Sequence, residues 1–114
     1  MKFLFLDTYY PAFLRKLYSG SPKLENFDYA KQLEHLVDQR FGTSDFYSTN
    51  VRALGHEAWD VIANSVPLQK HWAQENDSIL ARSCPTESNA GQIRIWQHSV
   101  VAAQLEQLKP DVLY

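Results

Sequence analysis

The sequence predicts an α/β fold of three layers, in which helices cover a short parallel sheet. Three strand-like segments support this prediction: an apolar run at residues 3–6, a second run at residues 57–63, and a third that follows the Pro-Asp turn at residues 110–111. Helical patterns separate the three segments, as in proteins built from β-α-β units. Because such crossovers are right-handed, strand one is expected between strands two and three, in the order 2-1-3.

The first third of the chain is predicted to contain one strand and two helices. The apolar run at residues 3–6 fits a strand that is buried on both faces. Pro11 suits the first turn of a helix, and the turn-forming residues 19–22 end the helical spacing that follows it. Asp28 is a suitable N-cap for a second helix, which is predicted to end at Gly42.

The middle of the chain is predicted to add a third helix, the second strand and a fourth helix. Ser44 is expected to cap the third helix, and Gly55 supplies the left-handed conformation that ends it. Residues 57–63 are predicted to form strand two, although polar residues interrupt the apolar pattern there. Pro67 is then expected at the beginning of a further helix.

The last third is predicted to contain an irregular segment, a long helix and the third strand. Residues 76–91 are rich in turn formers without a sustained period, so a surface excursion is expected there. From Ile93, apolar residues recur at helical spacing as far as Pro110, which is typical of an amphipathic helix. The final strand is predicted to begin at Asp111.

The whole chain, residues 1–114, is expected to form a single domain, because no linker or repeat divides it. In α/β proteins a functional loop normally follows each strand, and the last predicted strand has none. We therefore expect a truncated, incomplete Rossmann-like half-domain. The outer edge of the third strand would then be bare, and a bare apolar edge favours pairing with a second chain. A homodimer through this edge is predicted.

Composition narrows the classes of partner. Thirteen acidic and eleven basic residues, without a basic run, do not favour a nucleic-acid partner. The single cysteine, Cys84, cannot form an internal disulfide, so we expect the protein in the reducing cytoplasm. No apolar stretch approaches the about 20 residues of a membrane span. The four histidines lie on separate elements without zinc-ligand spacing, so no metal is expected.

The turn after strand one is the first candidate site, because ligands of open parallel sheets bind beyond the carboxyl ends of the strands. Asp7, Tyr9 and Tyr10 offer a carboxylate and two phenols there, and the turn lacks the glycines of a phosphate-binding loop. We therefore expect no dinucleotide cofactor. These groups suit a hydroxyl-rich ligand such as a sugar. The alternative is that Asp7 caps the turn and the two tyrosines only pack.

The loop before the third helix is the second candidate site. Ser44, Asp45 and Tyr47 lie at a helix N-terminus, where backbone N–H groups favour anions and polar ligands. The loop could face the same cleft as the first turn. The alternative is simple helix capping by Ser44 and Asp45.

Several segments resemble a known enzyme family. Residues 54–58, Leu-Gly-His-Glu-Ala, and residues 108–114, Leu-Lys-Pro-Asp-Val-Leu-Tyr, resemble the N-terminal Rossmann-like domain of GT-B glycosyltransferases. Residues 3–11 and 44–48 are similar to a bacterial branch of these enzymes, related to the spore-maturation CgeB-like group. The resemblance spans most of the chain.

This resemblance implies an acceptor-side fragment of a glycosyltransferase that uses a nucleotide-sugar donor. The donor domain of the family has no counterpart in the chain, so the fragment is expected to be inactive alone. The resemblance does not identify a catalytic base. It implies that six residues lie along the interdomain cleft: Asp7, Tyr9, Tyr10, Ser44, Asp45 and Tyr47.

Two other functions stay open at this point. One is a non-catalytic binding or interaction module with a flavodoxin-like or receiver-like sheet, although a receiver has an acidic pair after strand one. The other is a phosphatase of the haloacid type, which begins with an aspartate at the position of Asp7. That class needs a second aspartate two residues later, where this chain has Tyr9.

Overall fold

The computed structural model of the protein describes residues 1–85 and 90–114. The chain alternates strands and helices in the order β1 (Lys2–Asp7), α1 (Pro11–Gly20), α2 (Tyr29–Asp38), α3 (Phe46–Ala53), β2 (Glu57–Ile62), α4 (Val66–Glu75), α5 (Ala90–Leu108) and β3 (Val112–Leu113). Two short 3₁₀ turns, Leu24–Asn26 and Ile79–Ala81, lie between helices.

The three strands form one parallel sheet in the order β2-β1-β3. Lys2 lies opposite Glu57 at the beginning of the β1–β2 ladder, and both strands run for six residues. The shorter β3 is held beside β1 by backbone bonds that include Leu6 N–H to the Tyr114 carbonyl, 2.9 Å. The predicted α/β class and the predicted order 2-1-3 are therefore confirmed.

Strand β1 is less buried than its apolar sequence predicts. Leu4 is fully buried, but Phe3 and Phe5 are half-buried and Leu6 is 38% exposed. Leu6 is exposed because it borders an open cavity at the carboxyl end of the strand. The prediction of a strand buried on both faces was therefore wrong for the end that lies nearest the candidate site.

The apolar core joins the helices to the sheet next to that same end. It contains residues from the loop after β1, from α1, α2 and α4, and from the last position of β2: Tyr9, Leu14, Leu36, Ile62 and Leu68. Full burial of each large apolar side chain contributes about 1.5–3 kcal/mol relative to exposure. The core therefore anchors the loop that carries Tyr9.

The ends of helix α2 show one confirmed prediction and one error. The Asp28 side chain accepts a hydrogen bond from the Lys31 N–H, 2.8 Å, so the predicted N-cap is confirmed. The helix ends at Asp38, although the sequence predicts its end at Gly42. It stops early because Arg40 adopts a left-handed conformation with φ 55°, and Gly42 then adopts a second one with φ 60°.

Helices α4 and α5 pack through a pair of buried amides. The Gln69 side chain donates to Gln104 at 2.9 Å, and Gln104 donates back at 3.0 Å. The buried residues of α5 are Trp96, Val100 and Gln104, so a polar residue occupies the predicted apolar face. The amide pair satisfies this residue because each side chain supplies both a donor and an acceptor.

The predicted surface excursion at residues 76–91 is partly described. It contains the 3₁₀ turn Ile79–Ala81, whose Leu80 carbonyl accepts a hydrogen bond from the Trp96 indole. Residues 86–89 of this prediction lie outside the described residues. Across residues 1–85 and 90–114, no helix is long and apolar enough to cross a membrane.

Candidate functional site

A cavity of about 90 Å³ opens at the carboxyl ends of the three strands. It is bounded by the end of β1, the loop after it, the end of α2, the beginning of α3, the end of β2 and the residue after β3. The polar and aromatic residues that line it are Phe5, Asp7, Tyr9, Thr43, Ser44, Tyr47, Asp60 and Tyr114. This is the edge of a parallel sheet where ligands bind in open α/β folds.

A larger groove of about 510 Å³ adjoins the cavity and shares Thr43, Ser44 and Tyr47 with it. Asp45 lines the groove but not the cavity, and its carboxylate lies 3.6 Å from the Arg40 guanidinium. Ligand pockets commonly enclose about 300–1,000 Å³. The groove is therefore large enough for a sugar ring. The small cavity is large enough for a substituent of that ring that extends from the groove toward Asp7.

Asn64 fixes the loop that follows β1. Its side-chain oxygen accepts from the Tyr9 N–H at 2.9 Å, and its side-chain amide donates to the Tyr9 carbonyl. Asp7 accepts a local hydrogen bond from the Thr8 N–H at 2.8 Å. The turn-capping role considered for Asp7 therefore exists, and it engages only one of the two carboxylate oxygens.

Tyr9 is a buried member of this site. The pKa of Tyr9 is raised to about 12, because burial, the largest cause, and the negative charge of Asp7 together outweigh the lowering by a hydrogen bond with Ser44. Its ring packs against Phe13 and Phe41, with centroid separations of 5.8 and 5.3 Å. At neutral pH the phenol therefore stays protonated.

Ser44 lies in the site through an unusual backbone conformation. Its φ is 48°, in the left-handed region, and its hydroxyl donates to the Val37 carbonyl. The sequence predicts that Ser44 caps α3, and this was wrong, because α3 begins two residues later and Asp45 occupies the N-cap position without a side-chain cap bond. The hydroxyl instead ties the loop to the end of α2.

Aromatic rings form one wall of the cavity. The Tyr47 ring stacks on Phe5 with a centroid distance of 5.9 Å and an angle of 16°, and it lies 5.5 Å from the Tyr114 ring. Tyr114 is 72% exposed. Flat rings with polar tips suit the apolar faces and hydroxyl groups of a sugar.

Tyr10 is the predicted site residue that lines neither the cavity nor the groove. Its side chain is 72% exposed and packs edge-on against Phe41 at 5.3 Å. The structure therefore brings together Asp7, Tyr9, Ser44 and Tyr47, and places Asp45 in the adjoining groove. Tyr10 points away because it immediately precedes Pro11, where α1 begins.

Asp60 lines the cavity although, like Tyr114, it was not predicted from the sequence as a site residue. Its carboxylate accepts a hydrogen bond from the buried Ser48 hydroxyl. Burial raises the pKa of Asp60 above its ordinary value, whereas Ser48 and the positive charge of Arg52 lower it. The sequence signal for Asp60 was its position between Trp59 and Val61 in a predicted strand. There it was interpreted only as a polar interruption of the apolar pattern.

The arrangement can recognise a ligand that is rich in hydroxyl groups. Asp7 and Asp60 supply carboxylate acceptors, and Tyr47 supplies a flat ring. In the part of the chain that the structure describes, no group of three or more His, Cys, Asp or Glu side chains could hold a metal ion.

No family model, no curated protein and no solved structure matches this chain.

Proposed function

We propose that the chain is the N-terminal, acceptor-side part of a glycosyltransferase that uses a nucleotide-activated sugar. The resemblance to the bacterial CgeB-like branch of GT-B enzymes is the reason for proposing glycosyl transfer as the reaction. In such an enzyme this chain binds the sugar acceptor, a second Rossmann-like domain binds the donor, and transfer occurs between them. The chain alone binds acceptor and transfers nothing.

One observation carries this proposal: carboxylates and a stacked tyrosine meet at the carboxyl ends of the parallel strands. Asp7 comes from β1, Asp60 from β2 and Tyr47 from α3, and all three line the same cavity. Carboxylates bind the hydroxyl groups of sugars, and aromatic faces pack against their apolar C–H faces. The turn lacks the glycine-rich phosphate loop, which supports an acceptor rather than a nucleotide at this end.

Saturation-transfer difference NMR against a panel of mono- and disaccharides tests the proposal. We expect signals from at least one sugar and none from the nucleotide portion of nucleotide sugars. Incubation of the chain with the same nucleotide sugars should release no free sugar. Absence of binding across the whole panel would contradict the acceptor site. Tight binding of the nucleotide portion would contradict the proposal that this chain binds the acceptor and not the donor.

A matched pair of tyrosine variants localises the binding. Tyr47→Leu removes the ring that stacks on Phe5 in the cavity wall, whereas Tyr10→Leu removes an exposed ring outside the cavity. Loss of an aromatic stacking partner costs about 0.5–1.5 kcal/mol, which is about a twofold to twelvefold loss of affinity. We expect this loss for Tyr47→Leu and unchanged binding for Tyr10→Leu.

A second candidate function is a non-catalytic, flavodoxin-like interaction module. Exposed apolar side chains around the same edge favour it: Phe46, Leu113 and Tyr114 are all largely exposed. Clustered exposed aromatic side chains are typical of protein interfaces. The sugar panel discriminates the two functions, because an interaction module binds no sugar and should instead lose exposure of these side chains to a protein partner.

Two finer expectations accompany the proposal. The homodimer through the edge of β3 stays a prediction, and we expect it to be weak. Tyr114 and Asp111 direct their N–H groups to β1, so Leu113 is the residue of β3 whose backbone faces outward. Sedimentation velocity at rising concentration tests the homodimer, and a single monomeric species throughout would contradict it.

The cytoplasmic location also stays a proposal, and it rests on the single Cys84.

A further inference from the structure

A separate cavity of about 390 Å³ follows the outer edge of β2. The four consecutive β2 residues 58–61 all line it. Because side chains of a strand alternate between the two faces of a sheet, a cavity that touches four successive residues runs along the strand's edge. Among the strands that the structure describes, β2 lies at an edge of the sheet, so none of them covers this side.

Aromatic side chains from three elements line this cavity. Tyr29 comes from α2, Trp59 from β2 and Trp72 from α4, and each of them is half-buried. Tyr29 is fixed by a hydrogen bond with Gln104, which also lines the cavity. The volume lies within the range of about 300–1,000 Å³ that is common for small-molecule pockets.

Negative charge dominates the lining. Glu34, Asp45 and Asp60 contribute carboxylates, and Arg52 is the one lysine or arginine among the lining residues that the structure describes. Arg52 is already engaged, because it donates to the Ala58 carbonyl at 2.8 Å and to a serine hydroxyl at 3.3 Å. Burial is the main cause that raises the pKa of Asp60, and it outweighs the lowering by Ser48 and Arg52.

We propose that this cavity binds an alkylammonium group of a small organic cation. The faces of Trp59, Trp72 and Tyr29 attract the cation through their ring quadrupoles, and Asp60 and Glu34 supply the opposite charge. A quaternary ammonium matches this lining because it carries charge without needing hydrogen-bond acceptors at every side. The inference does not depend on the sugar site, although Asp60 lies between the two cavities.

A peptide added as a further strand is the rival occupant of this edge. Strand addition uses the outward-facing backbone groups of the edge strand. The Ala58 carbonyl is outward-facing and is already bonded to Arg52. The edge therefore lacks a continuous row of free acceptors, and this favours a compact ligand over an extended chain.

Titration with choline chloride, observed through the tryptophan indole N–H signals in NMR, tests the proposal. The neutral control ligand is 3,3-dimethyl-1-butanol, in which carbon replaces the ammonium nitrogen, with sodium chloride added to equal ionic strength. Trp59 and Trp72 should shift on choline addition. Trp96, which does not line the cavity and donates to the Leu80 carbonyl, serves as the internal control. We expect choline to bind at least about fivefold more tightly than the neutral ligand.

A matched pair of glutamate variants tests the charge. Glu34→Gln removes an exposed carboxylate of the lining, and Glu106→Gln removes an exposed carboxylate that does not line the cavity. We expect choline affinity to fall about twofold or more in Glu34→Gln and to stay unchanged in Glu106→Gln. The proposal is overturned if both ligands shift Trp59 and Trp72 equally, if choline shifts neither of them, or if the two variants behave alike.

Discussion

Replacing Ser48 by alanine tests the contact that holds Asp60 at the candidate site. Ser48 is completely buried in α3, and its hydroxyl donates to the Asp60 carboxylate. The same oxygen accepts from Arg52 at 3.3 Å, so the serine links the guanidinium to the carboxylate. The alanine variant keeps the helix and removes this link, together with a hydrogen bond of 3.1 Å from the Ser48 hydroxyl to the Asp45 carbonyl.

The expected cost follows from the charge and exposure of Asp60. Hydrogen bonds to charged groups contribute about 1.5–3 kcal/mol to stability. Because Asp60 is only half-buried, we expect the bond from Ser48 to contribute about 1.5 kcal/mol. Alanine is the better helix former by about 0.5 kcal/mol, which offsets part of the loss. We therefore expect Ser48→Ala to lower the free energy of unfolding by about 1 kcal/mol at neutral pH.

The cost should depend on pH, because Ser48 lowers the pKa of Asp60. Removing the serine raises the folded-state pKa of Asp60 further above its unfolded value. The destabilisation is therefore largest above that folded-state pKa, where Asp60 is ionised, and it shrinks as the pH falls through it. Urea unfolding followed by circular dichroism at several pH values between about 4.5 and 7 measures this dependence.

Ser99→Ala is the matched control. Ser99 also lies in a helix, and its hydroxyl donates to the Ile95 carbonyl of its own helix at 3.0 Å, without a charged partner. We expect a change within about 0.5 kcal/mol and no pH dependence. An equal cost for both variants at pH 7, or a Ser48→Ala cost that does not change with pH, would refute the reasoning about Asp60.

Three further predictions concern stability. Asp60→Asn should be more stable than the parent chain at neutral pH, because burial raises the pKa of Asp60, and this gain should vanish toward about pH 4 in the same unfolding assay; a pH-independent difference would contradict it. Gln69→Leu and Gln104→Leu should each cost about 2 kcal/mol by leaving a buried amide unpaired, and the double variant should cost much less than their sum in a double-mutant cycle. Asp28→Ala should lower the unfolding free energy by about 1 kcal/mol through loss of the α2 cap, and no change in urea midpoint would argue against the cap.

The elements of the fold were predictable because local signals determine them. The apolar run before Asp7, the cap at Asp28 and the Pro-Asp turn before β3 act within a few residues of the chain. The strand order then followed from the handedness of crossovers. The end of α2 was predicted too late, because Arg40 leaves the helical conformation without a sequence signal as strong as glycine.

The site was only partly predictable because its key contacts join distant segments. Asn64 fixes the backbone of Tyr9 across 55 positions of the sequence, and Asp60 meets Ser48 only after α3 has packed on β2. Neither contact leaves a periodic pattern. Besides the turn after β1 and the loop before α3, a charged residue in the middle of a predicted strand, as at Asp60, is a further local signal of the site.

Mapping of bound sugar onto the backbone amides by ¹⁵N NMR tests the central claim most directly. The claim is that the carboxyl ends of β1, β2 and β3 together form one ligand site. We predict that the amide signals of Asp7, Tyr9, Tyr47 and Asn64 shift together, with a single dissociation constant. Shifts confined to α4 and α5, or no shifts with any sugar that binds, would contradict the claim.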